Sequence, residues 1–154
     1  MNYSISKFVV STCIPFSICD TQSWKMMWET CCSGYNPPSA KVVSNRLLDE
    51  IYVNEYSSLM DSIKSNSQYT LVTDGWCNVR GQQHIVNFLL VKYGSKPVFL
   101  KSIETRGVAQ TAENISTQIS NVIEEVGQEH ISSIVCNNAA NMRASWQLLH
   151  NKYP

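Results

Sequence analysis

Apolar side chains recur three and four positions apart along the first part of the chain, which is the spacing of one helical face. After Asp20, read as a helix cap, Trp24, Met27, Trp28 and Cys31 form such a face, and Ser33-Gly34-Tyr35-Asn36-Pro37-Pro38 ends it. Ser39 is placed to cap a second helix whose stripe runs Val43, Leu47, Ile51, Leu59, Met60 and Ile63. The pattern predicts a helical lead-in over 1–66, with the Met and Trp side chains as core.

After Ser67 the period changes to that of strands. Tyr69 to Thr73 is rich in β formers, His84 to Tyr93 is almost continuously apolar, and Val98 to Thr105 follows Gly94-Ser95-Lys96-Pro97. Short links between these runs predict an antiparallel meander. Thr111 then caps a helix with Ile115, Ile119, Val122, Ile123 and Val126 inside, and Gly127 stands where such a helix ends. A strand at Ile131 to Cys136 and a helix from about Asn138 to His150, with Ala139, Met142, Trp146 and Leu149 on one side, complete the chain. A strand that returns through a helix pairs most simply parallel to the first strand, by the right-handed crossover. The expectation is an α/β chain in two parts: helices over 1–66, then a mixed sheet with helices over 67–154.

The 154 residues are about one domain's worth by the usual prior of roughly 100–200 residues. Apolar residues are 44% and charged residues 16%, too hydrophobic for a disordered chain. Lys plus Arg equals Asp plus Glu at 12 each, so no global positive field holds nucleic acid, and DNA binding is expected to be weak or absent. The denser basic stretch from Lys92 through Lys96 and Lys101 to Arg106 is explained as well by a solvated hairpin face. Six cysteines are scattered without a Cys-x-x-Cys pair, and His84, His130 and His150 lack finger spacing, which points to free thiols rather than a zinc site. Lys7 precedes an apolar run from Phe8 to Ile18, but Ser11, Thr12, Pro15 and Ser17 interrupt it and no small-residue cleavage site follows before Asp20. No stretch approaches the roughly 18 apolar residues of a membrane span.

With the first and fourth strands parallel neighbours, their C-terminal ends bring Asp74 and Asn137 close across one strand spacing of ~4.8 Å. Ligands in α/β sheets collect at such ends. Two carboxylates there could share divalent ions about 3.5–4 Å apart and drive phosphoryl transfer. Only one carboxylate is present. Asp74 before Gly75 also suits a plain turn, and Trp76 reads as a packing residue. Asn138 and Asn141 suit a helix start, Glu104 and Glu113 suit a solvated edge and a helix dipole, and a thiolate site at Cys77 and Cys136 lacks a neighbouring histidine.

Thr73-Asp74-Gly75-Trp76, Pro97-Val98-Phe99-Leu100-Lys101-Ser102-Ile103 and Asn138-Ala139-Ala140-Asn141-Met142 with Trp146, together with Pro15-Phe16-Ser17 and Asn36-Pro37-Pro38-Ser39 upstream, resemble a domain of unknown function found in relatives of the hAT (hobo-Ac-Tam3) transposases. The resemblance implies a partial RNase H-like fold: a meander of three antiparallel strands, a helix, a fourth strand parallel to the first, and a helix. Intact relatives use an Asp-Asp-Glu site with Mg²⁺ or Mn²⁺. Asp74 falls on the first acidic position and Asn137 on the second, while the glutamate falls downstream of Pro154. No cofactor is therefore expected beyond a weakly held ion at Asp74.

The resemblance implies a nuclear, transposase-derived piece without catalysis, with an interaction role toward other transposase-like chains or itself and none toward membranes. Two alternatives stay open: a metal-dependent nuclease subunit completed by another chain, and an unrelated small α/β ligand-binding domain. An unguarded fourth strand at the sheet's edge predicts self-association.

Overall fold

The computed structural model describes residues 1–65, 68–77, 84–105 and 107–154. The chain divides into two compact units, Met1–Asp61 and Ser62–Pro154.

In the first unit, α1 (Asn2–Ser11) is followed by a 3₁₀ turn at Phe16–Asp20 and by α2 (Gln22–Cys31). The helical pieces α3 (Ala40–Val42), a π turn at Val43–Leu47 and α4 (Leu48–Ser65) then continue one another, since Val43 and Leu48 keep right-handed helical dihedrals. Burying the apolar stripe of these helices drives their assembly. Ile5, Val9, Cys19, Trp24, Val43 and Leu47 form its core, with Trp28 and Tyr35 packed against them. Trp28 meets Trp24 and Tyr35 edge-on, with ring centres 5.7 and 5.6 Å away, a favoured geometry for aromatic quadrupoles.

Met27 and Cys31, expected on the buried face of α2, are exposed, so Trp24 alone is buried in that helix, and two further details differ from the sequence pattern. Thr21, not Asp20, caps α2, its hydroxyl accepting from the Trp24 N–H. Asp20 instead accepts from the Ala40 N–H at 3.0 Å, so one carboxylate ties the start of α3 to the segment before α2. The apolar run after Lys7 is partly α1, where Val9 is fully buried and Phe8 is exposed. Among the described residues no helix is long and apolar enough to cross a membrane.

In the second unit, β1 (Tyr69–Cys77), β2 (His84–Val91) and β3 (Val98–Glu104) form an antiparallel meander. After α5 (Ala112–Val126), β4 (Ile131–Val135) returns parallel to β1, and α6 (Ala140–Lys152) ends the element order. The sheet order is β3-β2-β1-β4. This mixed sheet, with helices and a helical N-terminal segment, is consistent with a partial RNase H-like fold. Thr111 caps α5 through the Asn114 N–H, and Gly127 ends it with φ +100.

Strand alternation sorts the sheet into two faces. Leu71, Thr73, Val86, Phe88 and Leu90 are buried on one, toward the α5 residues Ile115 and Ile119 and the α6 residue Met142. The other carries Val72, Asp74 and Trp76 of β1, Asn87 and Leu89 of β2, and Val135 of β4. Trp76 is 56% exposed there, so it is no core residue as its size suggested: its position on β1 points it away from the helix-covered face. In α6, Met142, Ser145 and Leu149 are the buried positions, whereas Trp146 is half exposed.

Candidate functional site at the ends of β1 and β4

The site is built by the parallel pairing of β1 and β4. Leu71 stands beside Ile134 and Val72 beside Val135. Asp74 and Asn137 each lie two residues beyond that last pair, at the same end of the sheet. The connection through α5 brings β4 back parallel to β1 and so puts both C-terminal ends at the same side of the sheet. Across the antiparallel side, Asp74 faces Asn87, and Asn87 faces Ser102, whose hydroxyl donates to the Asn87 side-chain carbonyl. A polar row thus crosses the exposed face through the one carboxylate.

The two residues differ in what their side chains do. Asp74 is exposed. Asn137 turns its Oδ1 to the Ala139 N–H at 3.2 Å, the short-range bond by which an Asn shapes a turn. That amide oxygen is engaged in shaping the chain between β4 and α6.

Beneath the same strand ends lies a cavity of about 210 Å³, walled by Thr73, Phe88, Ile115, Ile119, Asn137 and Met142 among others. Asp74 projects from the other face of β1 and does not line it. The loop before α5 is pinned beside this cavity: the Asn141 Nδ2 donates to the Gln110 carbonyl at 3.0 Å and the Gln110 Nε2 to the Thr105 hydroxyl at 2.7 Å. The hydroxyl of Thr73 and the side-chain carbonyl of Gln118 are buried without a hydrogen-bond partner among the described residues. Nothing in the residue types announced these two positions; an orphaned polar atom is visible only once its neighbours are placed.

The remaining candidates take structural places. Asn141 also accepts from the Met142 N–H, so it ties a loop to α6 and is not the cap, which falls at Ala139. Asn138 is exposed in the turn before α6. Glu113 sits in the first turn of α5, where its own backbone N–H and the Thr111 hydroxyl hold its carboxyl below the usual carboxylate range. Glu104 ends β3 opposite Ile85, on the far side of the sheet from β4. Cys136 accepts from the Trp146 indole N–H at 2.9 Å, and the side chain of Cys77 lies outside the described residues. Within the basic stretch, Lys101 pairs with Glu125 and Lys92 lies over the Tyr69 ring; Arg106 lies outside the described residues. Among the described residues, no three His, Cys, Asp or Glu side chains are grouped so as to hold a metal.

A two-metal phosphoryl-transfer centre needs clustered anionic oxygen ligands to offset its cations. The pair at positions 74 and 137 offers one negative charge and one amide oxygen already accepting a hydrogen bond. These residues alone do not fit such a centre.

Residues 38–154 match the family described as Domain of unknown function (DUF659). The chain belongs to the DUF659 family. The match takes in the whole sheet and both helices that follow its strands, so Asp74, Asn137 and the cavity all fall within the DUF659 region. Among curated proteins, none matches this DUF659 chain.

Proposed function

We propose that this DUF659 chain is a transposase-derived RNase H-like piece of hAT descent that does not cut DNA, and that it acts in the nucleus through protein contacts. The observation that carries the reading is that Asp74 and Asn137 each follow the last β1–β4 pair, Val72 beside Val135, by two residues. In the hAT-like pattern both positions are acidic. Here the second is an amide, and its oxygen is turned to the backbone of Ala139. Removing one of two charges from a site meant for paired divalent cations raises the cost of holding them, because cation charge is then left uncompensated. Mg²⁺ or Mn²⁺ is accordingly not a resident cofactor in this reading, and at most one weakly held ion sits at Asp74.

The zero net charge supports contact with proteins more than with polyphosphate. Other transposase-like chains or further copies of this one are the proposed partners. Membranes are not.

The test is a nicking and strand-transfer assay on the purified chain with Mg²⁺ and with Mn²⁺. No activity is expected. Metal-dependent cleavage that disappears in Asp74→Ala would overturn the reading. Retention of an exposed carboxylate at position 74 favours one second reading, a subunit whose missing acids come from another chain. Strand transfer regained on mixing with an intact relative would favour it.

A further inference from the structure

The cavity of about 210 Å³ lies between the helix-covered face of the sheet and the helices α5 and α6, and its wall is mostly apolar, with Phe88, Ile115, Ile119 and Met142. Several of its polar side chains are already engaged. Asn137 accepts from the Ala139 N–H, Asn141 donates to the Gln110 carbonyl and accepts from the Met142 N–H, and Gln110 donates to the Thr105 hydroxyl. Thr73 and Gln118 differ. Thr73 is 1% exposed, and its hydroxyl and the Gln118 side-chain carbonyl are buried without a hydrogen-bond partner among the described residues.

A buried hydroxyl and a buried carbonyl left unbonded cost free energy that a matching occupant recovers. Water alone matches poorly. A buried water needs roughly two to four polar partners, and two free groups on an otherwise apolar wall cannot satisfy all the waters such a volume admits. A molecule with an apolar body gains by displacing them. The volume lies below the roughly 300–1,000 Å³ of pockets for drug-sized ligands, which limits the occupant to a single ring. No Asp, Glu, Lys or Arg is among the described residues that line the cavity, so a charged occupant would be left without a counter-charge.

We propose that this cavity binds a small uncharged ring with an amide edge, whose N–H donates to the Gln118 carbonyl and whose carbonyl accepts from the Thr73 hydroxyl. The Gln118 carbonyl can only accept, so the occupant must bring a donor; the Thr73 hydroxyl is then the donor left for the occupant's own acceptor. The carbons of the ring lie against Phe88, Ile115, Ile119 and Met142. The proposal does not rest on the loss of DNA cleavage, because Asp74 projects from the other face of β1 and neither Thr73 nor Gln118 belongs to the pair at positions 74 and 137.

δ-Valerolactam and cyclohexanone are rings of equal size that differ by one N–H, and titrating each into the unmodified chain, followed by amide and methyl NMR, tests the site. The lactam is expected to bind saturably with a Kd of about 1 mM or tighter, shifting the signals of Ile115, Ile119 and Met142. Cyclohexanone is expected to bind about tenfold more weakly, because it leaves the Gln118 carbonyl unpaired. Thr73→Val keeps the shape of the side chain and removes the hydroxyl. It is expected to weaken the lactam about tenfold and to leave the unfolding temperature no lower, since that hydroxyl has no partner to lose. No saturation up to about 10 mM lactam overturns the proposal. So do equal binding of the two rings, lactam binding indifferent to Thr73→Val, and shifts confined to residues away from the cavity. The comparison of the two rings uses the unmodified chain, so it decides the matter even where Thr73→Val disturbs the fold.

Discussion

Asp20 accepts a hydrogen bond from the Ala40 N–H at 3.0 Å, across a sequence separation of 20 residues. The bond joins the turn at Phe16–Asp20 to the start of the long helical run from Ala40, while Ser39 accepts from the Val42 N–H one turn further on. Two orphan donors of one helix start are thereby satisfied from two places.

Asp20→Ala is therefore expected to destabilise the first unit by ~1 kcal/mol, the usual cost of a lost helix-cap acceptor, and Asp20→Asn by less because its amide oxygen still accepts. Urea denaturation followed by tryptophan fluorescence, with Trp24 and Trp28 beside this turn, measures both. Equal losses from the two substitutions would assign the effect to charge rather than to the bond.

Phe88 is fully buried on the helix-covered face of the sheet, whereas Trp76 is mostly exposed on the other face. Phe88→Ala is expected to cost about 3–5 kcal/mol through lost burial and a cavity, and Trp76→Ala about 0.5 kcal/mol or less. Chemical denaturation of the two variants compares them directly. A large loss from Trp76→Ala would contradict the placement of that ring.

Gly127 turns the chain out of α5 at φ +100, where a Cβ would meet the side chains of Glu129 and His130 at 3.0 Å. Gly127→Ala is expected to destabilise by roughly 1–2 kcal/mol, from the left-handed backbone together with the close contact. Thermal unfolding of this variant is the check, and an unchanged midpoint would refute the assigned conformation.

Glu124 accepts from Lys152 at 2.7 Å and from the Tyr153 hydroxyl at 3.3 Å, and these bonds hold its carboxyl below the ordinary 4.5. A carboxylate whose folded pKa is depressed contributes stability above its unfolded pKa and loses it as pH falls through the lower folded value. The stability difference between the unmodified chain and Glu124→Gln should therefore be small at neutral pH, because the pair is exposed, and should vanish as the pH drops well below 4.5. Urea titrations at pH 7 and pH 3 measure it. A difference that persists at pH 3 would count against the ion pair as its source.

The strands, their meander and the parallel return of β4 were legible because period, turn residues and crossover handedness all agree over 69–135. The capping roles of Ser39 and Thr111 and the end of α5 at Gly127 were legible for the same reason: each is set by local chemistry. Asp20 was misplaced because its acceptor serves a helix distant in sequence, and Trp76 because aromatic size says nothing about which face of a strand it occupies. The π turn at Val43–Leu47 leaves the apolar stripe intact and so gives no sign in the pattern. Topology puts positions 74 and 137 at one end of the sheet, but that Asp74 projects from the open face while Asn137 lines the cavity behind Thr73, its amide turned to Ala139, depends on side-chain packing.

A Mn²⁺ titration of the unmodified chain, Asp74→Ala and Asn137→Asp, followed by calorimetry, bears most directly on whether this strand end has lost its paired-cation chemistry. The unmodified chain and Asp74→Ala should show no saturable binding below about 1 mM, while restoring the carboxylate in Asn137→Asp should tighten binding by roughly tenfold or more, as a second anionic ligand does for a hard cation. Tight binding by the unmodified chain that Asp74→Ala abolishes, or an Asn137→Asp variant no better than its parent, would contradict the account.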